Sequence, residues 1–167
     1  IEYLFSPDLR MTLEVYYKDY SDYPVSTIRP YLILANNGGN FEKTDQFGLE
    51  PLVSAGTGFS KGIEFFMQKS LTKNFYGTIS FSLFEAKYKA LDGIERRSNF
   101  DNKFLFTIVG GYKIAESWEF SSKFRLAGGR PYTPINPSDG TQLVSEYNTA
   151  DLPDYSRLDI RLDKKWN

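Results

Sequence analysis

Two short motifs in this chain carry residue types that do acyl-transfer chemistry in other proteins. Gly58–Gly62 has the Gly-x-Ser-x-Gly spacing of a nucleophile elbow, and Ser70–Lys73 has the Ser-x-x-Lys spacing of an acyl-enzyme site. The elbow needs a histidine base and a strand-to-helix turn, and the chain contains no histidine. The Ser-x-x-Lys sequence stands without its partner motifs. We therefore interpret both motifs as ordinary strand and turn sequence, and the chain as not an enzyme.

The composition argues against several other kinds of site. The chain contains no cysteine, which removes disulfides, thiolate metal ligands and cysteine nucleophiles together. Glu42, Asp45 and Glu50 could contact calcium, but their spacing matches no calcium-binding loop. The 20 basic and 21 acidic residues give a net charge of −1, so no basic surface is expected to attract nucleic acid. We expect no metal, no cofactor and no nucleic-acid partner.

Arg130, Tyr132 and Tyr147 are candidates for binding rather than for catalysis. They lie in or beside a long predicted loop, and arginine and aromatic residues on loops often form recognition surfaces. Ordinary loop packing and an aromatic girdle are the alternative interpretation. The sequence does not identify a solute.

Apolar and polar residues alternate along most of the chain with a period of two. From Trp118 onward, for example, Phe120 and Phe124 are separated by polar residues. A β-strand turns successive side chains to opposite faces, whereas an amphipathic helix would repeat apolar residues every three or four positions. The sequence therefore predicts an all-β fold of about seven antiparallel strands. The predicted strands begin at Ile1, Met11, Ile63, Phe75, Phe104, Trp118 and Leu158.

The connections between these strands are alternately short and long. Outer-membrane barrels show this asymmetry, with short periplasmic turns and long extracellular loops. Such long connections are unusual in a compact soluble domain, where the median is about 4–6 residues. The short turns are Ser6–Leu9, Leu71–Asn74 and Ala115–Ser117, and the long loops are Pro24–Gly56, Lys89–Asn102 and Arg130–Asp154.

Two further features favour a membrane barrel over a soluble β-sandwich or a lipocalin-like barrel. Segments such as Met11–Tyr20 and Phe75–Ala86 reach the about 9–11 residues with which a tilted strand crosses a bilayer. Aromatic residues of the apolar face also lie beside the short turns, as in an interfacial girdle. We therefore expect the apolar face to contact lipid and the polar face to line an aqueous interior. The girdle residues are Phe75, Tyr112 and Trp118, which adjoin short turns, and Trp166, which is expected beside the next turn.

Charged side chains are expected on the interior face of the predicted strands. They could form cross-strand ion pairs in water, each worth about 0–1 kcal/mol. They could instead contact a passing solute or another part of the protein inside the barrel. The candidates are Glu14, Glu64, Lys123, Arg125, Asp159 and Arg161.

Four phrases of the sequence resemble the C-terminal barrel region of TonB-dependent outer-membrane receptors. They are Gly56–Phe65, Phe100–Lys103, Gly129–Pro134 and Leu152–Arg161. Each phrase is degenerate, and their order and spacing carry more weight than any one of them. The resemblance covers nearly all of the chain from Ser6 onward.

The resemblance implies a transmembrane barrel of about 22 strands with a plugged lumen, of which residues 1–167 form part of a single barrel domain. It implies outer-membrane location, uptake of a scarce nutrient, and contact with lipid, an N-terminal plug, the TonB complex and a small solute. The plug and the final strands are expected to lie outside this chain, and the interior charges become candidates for plug contact. A non-transport barrel, adhesive or structural, and a soluble ligand-binding β-domain remain as alternatives.

Overall fold

Antiparallel strands make up nearly all of the regular structure in the computed structural model, which describes residues 1–37 and 51–166. Two short 3-10 turns, Leu34–Asn37 and Val144–Glu146, accompany them. Within the described ranges, no helix is long and apolar enough to span a membrane. The strands are β1 Glu2–Ser6, β2 Leu9–Ser26, β3 Leu52–Thr72, β4 Phe75–Lys89, β5 Glu95–Arg97, β6 Phe104–Ala115, β7 Trp118–Ala127, β8 Pro131–Tyr132, β9 Ala150–Asp151 and β10 Tyr155–Lys164.

Seven of these strands lie side by side in chain order, β1-β2-β3-β4-β6-β7-β10, and β5 pairs with the end of β4. Every pairing in this sheet is antiparallel. The predicted all-β, antiparallel, up-and-down arrangement is therefore confirmed. The sheet is open, with β1 at one edge and β10 at the other.

The three predicted short turns lie at one end of the sheet, which we call the turn end. Lys73 closes the turn between β3 and β4 with a left-handed φ of 57°. At the end of β10, the Lys165 N–H donates to the Ser117 carbonyl, so this strand finishes beside the turn between β6 and β7. The long connections consequently meet at the opposite end, which we call the long-loop end.

The predicted limits of the first long loop are wrong by several residues on each side. The sequence predicts that this loop begins at Pro24 and ends at Gly56. The structure continues β2 to Ser26, since Pro24 follows an irregularity in the β2–β3 register at which Asp22 adopts a φ of 58°. The other two long loops contain short strands, β5 in one and the pair β8–β9 in the other.

The strand register assembles one continuous apolar face. Leu13, Phe65 and Phe81 are consecutive cross-strand partners, and the same row continues through Phe106 to Leu126. Side chains of this face are exposed: Val15 by 75% and Ile160 by 65%. No second sheet of the described chain packs over the face as a sandwich would require.

The opposite face is more polar but mixed. The register places Leu105 beside Ser82 and Val109 beside Thr78, so these two apolar residues lie on the polar face. Tyr76 also lies there, and a Cβ on Gly111 would come within 2.2 Å of its ring. Gly111 therefore provides the space that the Tyr76 ring occupies.

The buried core lies at the long-loop end, where the last residues of β2 and β4 meet the loops. Val25, Ile33, Tyr88 and Ala90 are each at most 6% exposed, and Tyr147 packs against them. We call residues 23–37, 86–103 and 128–154 the loop assembly, and the strands between it and the turn end the strand wall.

Candidate functional site

A cavity of about 310 Å³ opens in the loop assembly. Arg130, Tyr132 and Tyr147, the three loop residues singled out in the sequence, all line it. Tyr132 and Tyr147 belong to different arms of the third long loop, and only folding of that loop brings them together. The other residues that line the cavity are Asn99, Pro131, Thr133, Gln142, Asn148 and Leu152.

Two adjacent glycines allow close backbone approaches here: Gly129 to the other arm of the third loop, and Gly128 to the end of the second loop. A Cβ on Gly129 would lie 1.6 Å from the Leu152 carbonyl oxygen, and one on Gly128 would lie 2.0 Å from that of Asn102. No side chain fits at either position. The approach is closed by a hydrogen bond from the Leu152 N–H to the Arg130 carbonyl at 2.9 Å and by the β8–β9 pairing.

Asn148 joins the third loop to the second. Its backbone is left-handed, with a φ of 58°, and the residue is 4% exposed. The Nδ2 group donates to the Arg97 carbonyl at 2.8 Å and to Asn99 Oδ1 at 2.6 Å. Its backbone N–H donates to Thr133 Oγ1 at 3.2 Å. Asn148 thereby fixes the polar wall of the cavity.

Arg130 is held in place without an ion pair. The centre of its guanidinium group lies 5.6 Å from the centroid of the Phe100 ring, a cation–π distance. Its Nε donates a long hydrogen bond of 3.4 Å to the Asn99 carbonyl. Among the residues that the structure describes, no carboxylate pairs with Arg130 and no group accepts from its terminal amino groups.

Arg97 organises a network of charges beside the cavity. Its guanidinium group donates to Asp101 at 2.8 Å and to Asp151 at 2.7 Å. Asp101 is 3% exposed and also accepts from the Ala86 N–H at 3.2 Å. Lys103 contacts Asp151 at 2.5 Å. The hydrogen bond from Lys103 lowers the pKa of Asp151 below its ordinary value. Burial opposes this by raising the pKa, and the hydrogen bond from Arg97 lowers it further.

The first long loop is attached to the other two by Asn36 and Tyr31. Asn36 Oδ1 accepts from the Ser98 hydroxyl at 3.1 Å and from the Asn99 N–H at 3.0 Å. The Tyr88 hydroxyl donates to the Tyr31 carbonyl at 3.1 Å, and the Tyr31 ring lies 5.5 Å from that of Tyr147. The cavity is therefore built on an assembly in which all three loops contact one another.

The six charged candidates of the strands lie elsewhere, on the polar face of the wall. Glu14 stands directly opposite Glu64, and Lys123 stands opposite Asp159. Arg125 faces another cation, Arg157. Arg161 pairs along its own strand with Asp163 at 2.8 Å. The structure thus forms an acidic group on β2 and β3 and a separate mixed group on β7 and β10, and none of these residues lines the cavity.

The two motifs with acyl-transfer spacing have an ordinary structural setting. Ser60 lies within β3, paired with Lys18 and Ala86, without the strand-to-helix turn of a nucleophile elbow. Ser70 lies near the end of β3, and Lys73 lies in the turn that follows.

In the described ranges, no group of three or more aspartate or glutamate residues converges to hold a metal ion. The possible calcium ligands Glu42, Asp45 and Glu50 lie outside the described residues.

Sequence reasoning missed the asparagines of the site. Asn99 and Asn148 lie in segments that we interpreted only as loops, because asparagine is a common turn-forming residue. Their hydrogen-bond partners are distant in sequence, and no local spacing of residues predicts these contacts. A buried asparagine with positive φ is the structural signal that identifies Asn148.

No family model, no curated protein and no solved structure matches this chain.

Proposed function

We propose that this chain forms part of the wall and outer loops of an outer-membrane β-barrel receptor of the TonB-dependent kind, which takes up a scarce small solute. The observation that carries the proposal is a continuous apolar face that the molecule leaves exposed. Monomeric soluble proteins rarely expose an apolar patch of more than a few hundred Å². A bilayer is the environment in which such a face is stable.

The apolar face has the height of a bilayer core. It runs from Phe75 to Leu83 on β4 and from Phe104 to Tyr112 on β6, which matches the about 9–11 residues of a tilted membrane strand. Above Leu83, at the long-loop end, the same face becomes ionic. Lys61 and Lys87 contact Glu85 there at 2.9 and 2.7 Å. Charges placed at this boundary would lie among lipid headgroups.

Aromatic and cationic side chains mark the other boundary. Phe75 and Tyr112 are cross-strand partners beside the turn end, and each is about half exposed. The Lys164 ammonium lies 5.0 Å from the Trp118 ring and 3.7 Å from the Trp166 ring. Amphipathic rings and lysine favour the interface between hydrocarbon and water. The two boundaries together enclose a band that only apolar residues, glycine and serine occupy on β4, β6 and β7.

The polar face supports a filled lumen. Like charges directly opposite each other destabilise a sheet, yet Glu14 faces Glu64 and Arg125 faces Arg157. In the part of the chain that is described, Glu14, Glu64 and Arg125 make no ion pair. A plug with a basic surface toward β2 and β3 and an acidic surface toward Arg125 would neutralise them. This arrangement favours a plugged receptor over an open barrel.

Spin labels on adjacent residues of β4 test the proposal in the full-length protein, reconstituted in phospholipid vesicles. Phe81→Cys and Ser80→Cys place the label on the apolar and the polar face respectively. We expect the label at position 81 to collide with dissolved oxygen and to be shielded from a water-soluble nickel reagent. The label at position 80 should show the opposite preference, and a label at Glu64→Cys should be immobilised by the plug.

Equal access of the nickel reagent to positions 80 and 81 would refute the membrane wall. So would recovery of the full-length protein in the soluble fraction without detergent. A mobile, water-accessible label at position 64 combined with a shielded position 81 would instead support a barrel without a plug.

A further inference from the structure

We propose that the cavity in the loop assembly binds a small, ring-containing solute that carries an oxyanion group, either a carboxylate or a phosphate. The inference deepens the proposed function and rests on it for the role of the solute as cargo. Its first basis is charge. Among the described residues that line the cavity, Arg130 alone is charged. The neighbouring cations Arg97 and Lys103 are already paired with Asp101 and Asp151.

The second basis is the orientation of Arg130. The Phe100 ring and the Asn99 carbonyl hold one side of the guanidinium group. The terminal amino groups have no acceptor in the described part of the chain. Their planar fork matches the two oxygens of a carboxylate or the oxygens of a phosphate. Because the side chain is already supported, it loses less conformational freedom on binding.

The third basis is the composition of the remaining wall. The side chains of Asn99 and Asn148 are engaged in hydrogen bonds to other loops, so they form a rigid frame. Tyr132, which is 41% exposed, supplies an aromatic ring to the lining, and the exposed Gln142 supplies an amide. A volume of about 310 Å³ lies at the lower end of the range for ligand pockets and fits one ring with its substituents.

Calorimetric titration of the full-length protein in detergent micelles tests the inference with three probes. Glucuronate and glucose 6-phosphate carry a carboxylate and a phosphate on the same type of ring, and glucose carries neither. We expect at least one of the charged probes to bind about 10- to 100-fold more tightly than glucose. Hydrogen bonds to a charged group lower a dissociation constant by about this factor. Comparing the two charged probes shows which oxyanion the cavity prefers.

Variants assign the effect to the cavity. Arg130→Gln should weaken binding of the charged probe about 10- to 100-fold, and Arg130→Lys should retain part of the affinity because it keeps the charge but loses the fork. Gln142→Ala should weaken it about 2- to 10-fold, the range of a neutral hydrogen bond. The matched control is Lys89→Gln, which removes an exposed positive charge at the long-loop end outside the cavity and should leave binding unchanged.

Three results would overturn the inference: equal binding of glucose and the charged probes, unchanged binding by Arg130→Gln, or no binding of any probe at about 10 mM. Hydrogen exchange of the loop amides confirms that each variant retains the assembly. Failure of the receptor proposal can be distinguished from failure of this inference by combining the binding and spin-label experiments. A full-length protein that is soluble yet binds glucuronate through Arg130 refutes the membrane wall alone, whereas a lipid-facing wall without oxyanion binding refutes only this inference.

Discussion

The strand wall and the loop assembly are stabilised in different ways. In the wall, Val15 and Leu83 are 75% and 50% exposed, and the contacts that hold the strands together are those of the backbone ladders. In the assembly, Val25 is fully buried and Tyr88 is 1% exposed, with buried polar groups bonded between loops. The wall therefore leaves its apolar side chains exposed, to lipid in the receptor that we propose, whereas the assembly buries its apolar side chains within the molecule.

This difference predicts different sensitivities to substitution. Any apolar side chain that faces lipid has an equivalent environment, so the wall should tolerate exchange among apolar residues but not a charge. The assembly contains buried polar groups bonded to specific partners in other loops, as Asn148 is to Asn99. Removing a single polar atom there leaves a buried group unsatisfied, which costs more than the bond itself contributed. Three substitutions or conditions test the comparison in the full-length protein.

The largest effect is expected from Phe81→Arg in the middle of the apolar band. An arginine on the lipid face near the bilayer midplane costs about 2–4 kcal/mol of unfolding free energy. Denaturant titration of the protein in phospholipid vesicles measures this loss. The control is Ser80→Arg, one residue away on the polar face, which should be mild. Comparable losses for both variants would mean that the two faces meet the same solvent, and the comparison would fail.

A somewhat smaller effect is expected from Asp101→Asn in the loop assembly. The amide retains the acceptor for the Ala86 N–H but loses the charge opposite Arg97, and a hydrogen bond to a charged group contributes about 1.5–3 kcal/mol. Hydrogen exchange should show reduced protection in residues 90–103 and 128–154, with the wall amides unchanged.

Glu95→Gln is the matched control for Asp101→Asn, because it removes a charge from an exposed pair with Lys87 at 3.4 Å. Exposed pairs contribute about 0–1 kcal/mol, so protection should hardly change. Loss of protection throughout the wall in Asp101→Asn would show that the two regions unfold as one unit, against the separation argued above.

The two regions also differ in how much the sequence reveals. The wall is predictable because its determinant is local: the period of two assigns Phe81 and Ser80 to opposite faces, and the structure agrees. The short turns are equally local. Counting residues along β6 likewise gives the face of its two exceptions, Leu105 and Val109.

The loop assembly could not be predicted because its contacts are not local. Asn148 bonds to Asn99, and Asn36 bonds to Ser98, across separations of 49 and 62 residues. Residue type placed Arg130 and Tyr147 among the binding candidates, but no spacing indicated that they share one cavity. The extension of β2 past Pro24 was missed for a related reason, since a register irregularity depends on the partner strand.

The smallest effect is expected from acid, and it should act on the loop assembly. Hydrogen bonds from Lys103 and from Arg96 lower the pKa values of Asp151 and Asp92, respectively, below the ordinary 3.8. A carboxylate whose pKa is lower in the folded state stabilises the fold at pH values above its pKa in the unfolded state. That stabilisation is lost as the pH falls through its pKa in the folded state. Protection of the loop amides should therefore be constant from neutral pH to about pH 4 and decrease below it.

Asp151→Asn separates this titration from a general effect of acid. In that variant the contacts of Arg97 and Lys103 with a charged group are already lost, so protection should be lower at neutral pH and decrease less on acidification. Because Asp151 is about one third exposed, solvent screens the interaction and the effect should stay below that of Asp101→Asn. An identical acid response in both proteins would assign the titration to other carboxylates. Simultaneous loss of protection in the wall would instead show that the loop assembly and the strand wall unfold as one cooperative unit.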